Sequence, residues 1–600
     1  MRQPIRTYAR MLCAALFASA ALCAETGIAQ RLEAAQKAER AGDYAAASGE
    51  YEAILRVQPK NALIRQSLAI TFHLQSRYPE AIAEFQRALR LDPSLWGAEL
   101  FLGMDFYKTN QFSLAIPPLE KSIVLNARMA EPEARYWLAS AYSALGKHED
   151  ALKELRRDLE LRPKDVDVLY SLTRAYDQSA AALFERLGQI EPNSAAVAIL
   201  QAESLAEEKR QGLARAQYQR ALRLRPDFAG WIPALAGDNA PAPEEPDSLI
   251  SYTDARANLD LADLLGRAGD SKAQASILEN LGRQRGTDAE TAKVIASAKA
   301  RLGAGKAAAQ SNGGNAPELM EGLNLLRQGR YRDAEAPLAQ AARANPGNYL
   351  ELALARARTE AGDSTLAEEE LLKILLKEPK NVDALHLLGR NYKRQAETTL
   401  QQMITLDPDS YGVHELLGQR HEEHTEFEPA IQEYQAALAK RPNAGGIRYA
   451  IGNVYRKMGQ FDQAERWLTD EIKRNPYHGL AQYRLGSVYI ELGRPVDAIP
   501  HLELALRSHP RRLDARLDLG RAYTAAGRYP EALATLKQVA ELEPANDRVH
   551  YLLSTVYSKQ GRKEEARAEL VTYQRLTRQR LQQTQQDVRD ATDALENSRQ

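Results

Sequence analysis

The sequence predicts an all-α fold of antiparallel helix pairs stacked into a solenoid. Three observations carry that expectation. Pro408, Pro442, Pro476, Pro510 and Pro544 follow one another every 34 residues, and Pro59 and Pro93 show the same interval. Within each interval the same residue types return at fixed distances before the proline. Apolar side chains spaced by three and four residues run through both halves of the interval, a spacing that lays one face of a helix on a core.

Each interval has the same internal order. Twenty-four residues before the proline stands a small residue (Ala69, Gly418, Gly452, Gly486 or Gly520), and twenty-one before it an aromatic one (Phe72, Tyr455, Tyr489 or Tyr523). These belong to a first helix, where a small side chain admits a close neighbour and the aromatic fills the space beside it. Seventeen before the proline Gly is frequent, at Gly42, Gly329, Gly362, Gly459, Gly493 and Gly527. It ends the first helix in a left-handed conformation. A second helix comes next, with Ala twelve before the proline (Ala47, Ala81, Ala214, Ala430, Ala464, Ala498, Ala532) and a large apolar residue eight before it (Tyr51, Phe85, Tyr218, Tyr434, Leu468, Leu502, Leu536). The proline stops that helix and sets the turn into the next unit.

A recurrent period of this kind marks an array of supersecondary units, and the pattern resembles the tetratricopeptide repeat. About fourteen units end near Pro59, Pro93, Ala127, Pro163, Pro192, Pro226, Pro346, Pro379, Pro408, Pro442, Pro476, Pro510, Pro544 and Arg578. The resemblance implies a right-handed superhelical solenoid in which the first helix of each pair lines a concave groove, and a role in binding protein segments.

Two units are short. Pro163 to Pro192 and Pro379 to Pro408 each span 29 residues, and both are followed by an interval of 34. The two places are offset by 216, an offset that also matches Gly146 with Gly362, Leu155 with Leu371, Tyr176 with Tyr392 and Tyr218 with Tyr434. A block of repeats was duplicated, short unit included. The missing residues fall where the turn between paired helices belongs, and neither stretch offers a helix-ending Gly at the usual place. A very tight turn or one continuous bent helix is expected there, and the loss of five residues rotates the next helix by about 140°.

The expected organisation is a leader at 1–24, an N-terminal solenoid at 25–228, a Pro-rich linker at 229–248, and a helical middle segment with a degenerate repeat at 249–302. A Gly/Ala-rich linker at 303–316, a C-terminal solenoid at 317–578 and a polar terminal helix at 579–600 complete it. Arg2, Arg6 and Arg10 precede the apolar run Met11 to Ala24, the arrangement of a secretory signal peptide. That run is too short to cross a bilayer core comfortably, so the protein is expected to be exported, periplasmic or secreted, with no stable membrane span after cleavage. Both cysteines, Cys13 and Cys23, lie in the leader, which leaves no disulfide framework. The charges nearly cancel, 79 basic against 80 acidic, and that balance excludes a nucleic-acid coat.

Motifs for chemistry are scarce. The GAGK fragment at Gly303 to Lys306 lacks the rest of a phosphate loop. His414, His421 and His424 form the one histidine cluster, but His421 occupies the aromatic position of its unit, so packing is preferred to metal binding. No catalytic, cofactor or metal site is expected. The candidate site is the groove. Positions three before, one after and four after the small residue of the first helix place Tyr136, Arg174, Arg390, Lys393, Tyr449, Asn453, Arg456, Tyr483, Arg521 and Tyr551 along it. Tyrosine supplies rigid contact area, and Arg and Asn bond peptide backbone or carboxylate. The family's carboxylate clamp pairs a Lys with an Asn four residues on; Asn453 fits, but Tyr449 stands where Lys belongs. The expected function is a non-enzymatic scaffold binding a protein or peptide segment. A structural part in an envelope assembly or secretion apparatus is the alternative, and after it a glycan-binding protein or an enzyme accessory subunit.

Overall fold

The computed structural model describes residues 26–207, 209–224, 271–281, 316–344 and 347–597, with scattered residues between 258 and 299. The expected leader, the Pro-rich linker and nearly all of the Gly/Ala-rich linker lie outside the described residues, as does most of the middle segment. Regular structure among the described residues is helical throughout. In chain order the helices are α1 (Thr26–Ala41), α2 (Tyr44–Val57), α3 (Ala62–Leu74), α4 (Tyr78–Leu91), α5 (Trp96–Lys108), α6 (Phe112–Leu125), α7 (Ala127–Ala144), α8 (His148–Leu161) and α9 (Val166–Ile190). Then come α10 (Ala195–Glu207), α11 (Gln211–Leu224), α12 (Ser271–Leu281), α13 (Ala316–Arg327), α14 (Tyr331–Ala344), α15 (Asn348–Ala361), α16 (Ser364–Lys377) and α17 (Val382–Leu406). The last are α18 (Tyr411–Glu423), α19 (Phe427–Lys440), α20 (Ile447–Lys457), α21 (Phe461–Arg474), α22 (Gly479–Glu491), α23 (Pro495–Ser508), α24 (Leu513–Ala525), α25 (Tyr529–Leu542), α26 (Asp547–Lys559) and α27 (Lys563–Asn597).

Two compact units divide the chain. One comprises residues up to 180 together with 395–408; the other comprises 181–394 and 409 onward. Within each, successive helices pack as pairs, and each pair's second helix packs on the next pair's first. Consecutive first helices also touch, as α3 with α5 and α22 with α24 do. The buried cores are the residues of the repeating pattern: Ala47, Tyr51, Ala81 and Phe85 in the first unit, and Ala498, Leu502, Ala532 and Leu536 in the second, each fully or almost fully excluded from solvent. In the middle segment, Leu261, Ile277, Leu278 and Leu281 are buried.

The recurring residues act locally as their positions demand. The small residue of a first helix faces the large residue sixteen further on. A Cβ added to Gly520 would lie 2.4 Å from Leu536 Cδ2, so a side chain there has no room. Seventeen before the unit end, Gly459 and Gly527 take φ of 73° and 76°. Where a unit lacks Gly, the turn forces the same conformation on another residue: Ser76, Asn110, Lys209 and Thr425 are the positive-φ non-glycine residues among those described, and each occupies this position. The proline carbonyl at the unit boundary is also used. The side chain six residues later returns to it, as Arg65 Nη2 to Pro59 O at 2.6 Å, Arg516 Nη2 to Pro510 O at 2.6 Å and Gln482 Nε2 to Pro476 O at 3.1 Å. Two residues after the proline, Asn61 and Asn381 accept from the backbone N–H three residues on and cap the new helix.

Charge follows the period as well. Arg65 and Glu84 meet across a helix pair at 2.7 Å, and Arg31 and Glu50 at 3.0 Å; His414 and Glu433 (2.7 Å) and His550 and Glu569 (2.6 Å) repeat the same nineteen-residue spacing. The aromatic of the first helix carries an Arg five residues later on its face: Arg77 on Phe72, Arg494 on Tyr489, Arg528 on Tyr523 and Arg562 on Tyr557, all within 4.3–4.6 Å of the ring centre. That Arg also holds an acid three residues on, as Arg528 holds Glu531 at 2.9 Å. In the unit ending at Pro442 the polarity is exchanged: His421 replaces the aromatic, Glu426 replaces the Arg, and the two bond at 2.8 Å.

Neither short unit contains a turn between paired helices. Val166–Ile190 and Val382–Leu406 are each one uninterrupted helix of 25 residues. The continuous-helix alternative therefore holds and the tight turn does not. Residues 166–180 belong to the first compact unit and 181–190 to the second; for α17 the second unit holds 382–394 and the first holds 395–406.

Two outcomes test these assignments. Thr425→Gly removes a β-branched side chain from a left-handed residue and stabilises the full chain by about 0.5–1 kcal/mol; an unchanged or lower denaturation midpoint contradicts it. The second concerns His414. Burial lowers its pKa, but bonds to Glu433 and Asp409 outweigh that and hold it above the ordinary histidine value. Because the folded pKa is raised, the stabilisation from this pair is complete below about pH 6.5 and is lost as pH rises through the folded value. His414→Gln should remove that component from a stability–pH curve; a curve of unaltered shape contradicts the assignment.

Candidate functional site

The groove positions lie on first helices, and the second compact unit brings several of them together. On α20, Asn453 is buried; its Nδ2 donates to Glu422 Oε1 of α18 at 2.9 Å, and its Oδ1 accepts from Arg456 Nη2 at 3.2 Å. Glu422 is a shared acceptor, since Tyr434 Oη donates to its other oxygen at 2.9 Å and Lys457 Nζ lies 2.9 Å from the first. Burial together with the neighbouring Glu422 carboxylate pushes the Tyr434 hydroxyl pKa strongly upward. Half-buried Arg456 has its pKa lowered by burial and then by the like charge of Arg484 on α22. The Arg484 guanidinium stacks 4.9 Å from the centre of the buried Tyr483 ring, and its Nε is buried without an acceptor. Arg512 covers the same ring at 5.2 Å. Burial, with Asp518 and Asp514 nearby, pushes the Tyr483 hydroxyl up to about 12. Tyr449 leans on His478 with ring centres 5.1 Å apart.

The remaining candidates lie outside this cluster. Arg521 reaches Glu491 at 3.3 Å and Asp518 at 3.6 Å, and burial raises the pKa of Asp518. Tyr551, half exposed, stacks at a tilt on Tyr573 of α27, 5.4 Å away. Arg390 is ion-paired with Glu203 at 3.4 Å and approaches Glu360 at 3.9 Å. Exposed Lys393 adds positive potential at Glu203, whose pKa burial raises on balance. In the first compact unit, Tyr136 packs edge-on against Trp137 at 5.4 Å, and burial raises its hydroxyl pKa. Arg174 donates to Tyr170 Oη at 2.8 Å and lowers the pKa of neighbouring Tyr107, which burial raises more strongly.

Reading by residue type missed partners as often as it found contacts. Glu422 and Tyr107 stand four after the small residues Gly418 and Gly103, and Glu203 stands one after Ala202, so all three occupy groove positions. Arg484 and Asp518 stand two before Gly486 and Gly520, a register the groove rule does not include. The signal for both is a charge at a place where the flanking units carry Ala450 and Leu552.

The arrangement offers guanidinium, amide and phenol groups to a partner. Among the described residues no group of His, Cys, Asp and Glu side chains could hold a metal ion. His414 and His421 are instead committed to Glu433 and Glu426. No helix among the described residues is long and apolar enough to cross a membrane. The buried pair His73 and Asp105, with Nδ1 and Oδ1 2.5 Å apart, is enclosed by Phe101 and Tyr78 and acts as a core contact.

Comparison with known proteins gives a consistent result. Tetratricopeptide-repeat family profiles match residues 32–95, 102–166, 319–383 and 449–513, and a second profile of the same description matches 489–542 and 524–587. No curated protein matches the chain. Among solved structures, MamA from Desulfovibrio magneticus RS-1 is 20% identical over 28% of this chain and 96% of its own, with a TM-score of 0.27. YrrB, described as a TPR protein with an unusual peptide-binding site, is 22% identical over 33% of this chain and 97% of its own, with a TM-score of 0.28.

Glu422 is the acceptor on which the cluster depends. Glu422→Ala leaves Asn453, Tyr434 and Lys457 without it and should cost about 2–3 kcal/mol, read as a fall in the denaturation midpoint. A change below about 0.5 kcal/mol, the scale of an ordinary surface substitution, refutes the shared-acceptor role.

Proposed function

The chain belongs to the tetratricopeptide-repeat family, and from that premise we propose that it is a non-enzymatic scaffold that binds an extended protein segment along its first helices. The observation that carries this reading is the cluster on α20 and α22. Half-buried Tyr449 supplies apolar area and is already held by His478, while buried Tyr483 is the ring on which Arg484 and Arg512 rest. Little rotamer freedom is then lost on binding. Among the described residues Arg456 donates to neutral Asn453, and like-charged Arg484 lies beside it. An incoming carbonyl or carboxylate relieves the repulsion between the Arg456 and Arg484 guanidinium groups.

Arg390 and Asn453 have a different role in this reading. Both are engaged within the protein, Arg390 with Glu203 and Asn453 with Glu422, so they set the position of neighbouring side chains. The leader-like residues 1–24 favour work outside the cytoplasm, and with it the alternative of a part in an envelope assembly. N-terminal sequencing of the mature protein decides that point: a start near residue 25 or 30 supports export, and retention of Met1 opposes it.

Selection of a random peptide display library on the full chain tests binding. Selected peptides should lose about tenfold in affinity on Arg484→Ala and on Arg456→Ala, about 1.4 kcal/mol each, with the denaturation midpoint almost unchanged. Failure to select any peptide, or equal binding by both variants, rejects the reading.

A further inference from the structure

In complete units the groove beside the first helix's small residue is filled from within the unit, by the side chain sixteen residues on: Leu468 at Gly452, Leu502 at Gly486. Removal of five residues moves the equivalent side chain to eleven on, which is Phe184 for Thr173 and Leu400 for Gly389. An uninterrupted helix cannot deliver it. Eleven residues of helix separate the two positions by about 16 Å along the axis, so neither short unit can fold its second half back onto its first.

Each first half is covered by the other copy's second half instead. In the second compact unit, a Cβ on Gly389 would lie 2.2 Å from Phe184 Cε1, and the Phe184 ring lies 6.4 Å from that of His386. Arg186 donates to Pro379 O at 2.5 Å. In complete units that carbonyl is served by the residue six later, and here that residue is Leu385, which has no donor. In the first compact unit, Thr173 Oγ1 donates to Thr399 Oγ1 at 2.9 Å and lies 3.8 Å from Met403 Sδ. Ala180, Leu187, Ala396, Leu400 and Met403 are all buried. Since the two stretches are copies offset by 216 residues, Phe184 in the Gly389 groove and the Thr399–Leu400 region beside Thr173 are the same contact made twice.

We propose that Val166–Ile190 and Val382–Leu406 form a self-recognition pair, each the docking surface for the other, through which the N-terminal block (25–228) and the C-terminal block (317–578) bind one another non-covalently. The partner of each surface is the complementary short unit of the same polypeptide. The joining chain keeps the two at high effective concentration, but the contacts themselves do not require it.

The test uses the full chain with a protease cleavage sequence placed within residues 303–316. After cleavage the two pieces should elute together on native size-exclusion chromatography at about 1 μM. Gly389→Leu, which fills the seat of Phe184, should weaken their association at least tenfold, and Phe184→Ala, which empties it, should do the same if Gly389→Leu fails to fold. Separation of the unsubstituted pieces, or association unaffected by the substitution, overturns the proposal. An independent reading comes from the uncut chain with Cys13 and Cys23 replaced by Ser. Thr173→Cys with Thr399→Cys should give a bond within one molecule on mild oxidation, seen as a faster-running monomer on a non-reducing gel. Absence of that species also overturns the proposal.

Discussion

Close approach of two helices at a residue without a bulky side chain is the constraint on which the rest of this protein depends. A helix of thirteen or fourteen residues is marginal in water, and its apolar stripe must be covered to persist. The cover here is a large side chain seated against a glycine or alanine of the first helix, at a separation that leaves no room for another carbon. Gly520 with Leu536 and Gly418 with Tyr434 show it within one repeat. Everything else in the unit serves to bring that seat and its occupant together: the left-handed turn, the cap after the proline, the returned bond to the proline carbonyl.

The short units obey the same constraint by another route. With the turn deleted, the seat at Gly389 still has to be filled, and Phe184 fills it from the other copy. The compact units therefore cross the sequence blocks: the first takes residues 395–408 from far along the chain, and the second takes 181–190 from its early part. A deletion that looks local in the sequence thus acts on the connectivity of the whole molecule. Its tolerance comes from duplication, because the replacement side chain Phe184 holds the same place in its block that Leu400 holds in the other.

Charge is organised by the same period. The near equality of basic and acidic residues reflects pairs such as Arg65 with Glu84 and Arg528 with Glu531, which recur in step with the helices. Most are exposed and contribute little each. The cluster around Glu422 differs because Asn453 and Tyr434 are buried and share that one acceptor. Beside it, Arg456 and Arg484 stand close with their charges incompletely matched, and this local excess distinguishes the proposed binding face from the balanced surface elsewhere.

By itself the sequence determined the helix pairs, their ends and their cores. Gly459 and Gly527 were legible as left-handed turns, Tyr51 and Leu502 as core, and Tyr449, Asn453, Arg456 and Tyr483 as residues of first helices, since each derives from the spacing of residue types along a few turns of chain. The occupation of that groove was not legible. Asn453 and Arg390 look available in sequence, and their acceptors Glu422 and Glu203 lie in other repeats, where charge alone does not distinguish a partner from a solvated acid. Nor could spacing say that Phe184 belongs to Gly389. Many repeats present nearly the same apolar face, so local pattern makes them interchangeable. Only the tertiary structure decides which face meets which, because an unbroken helix cannot turn back on itself and the choice passes to a distant copy.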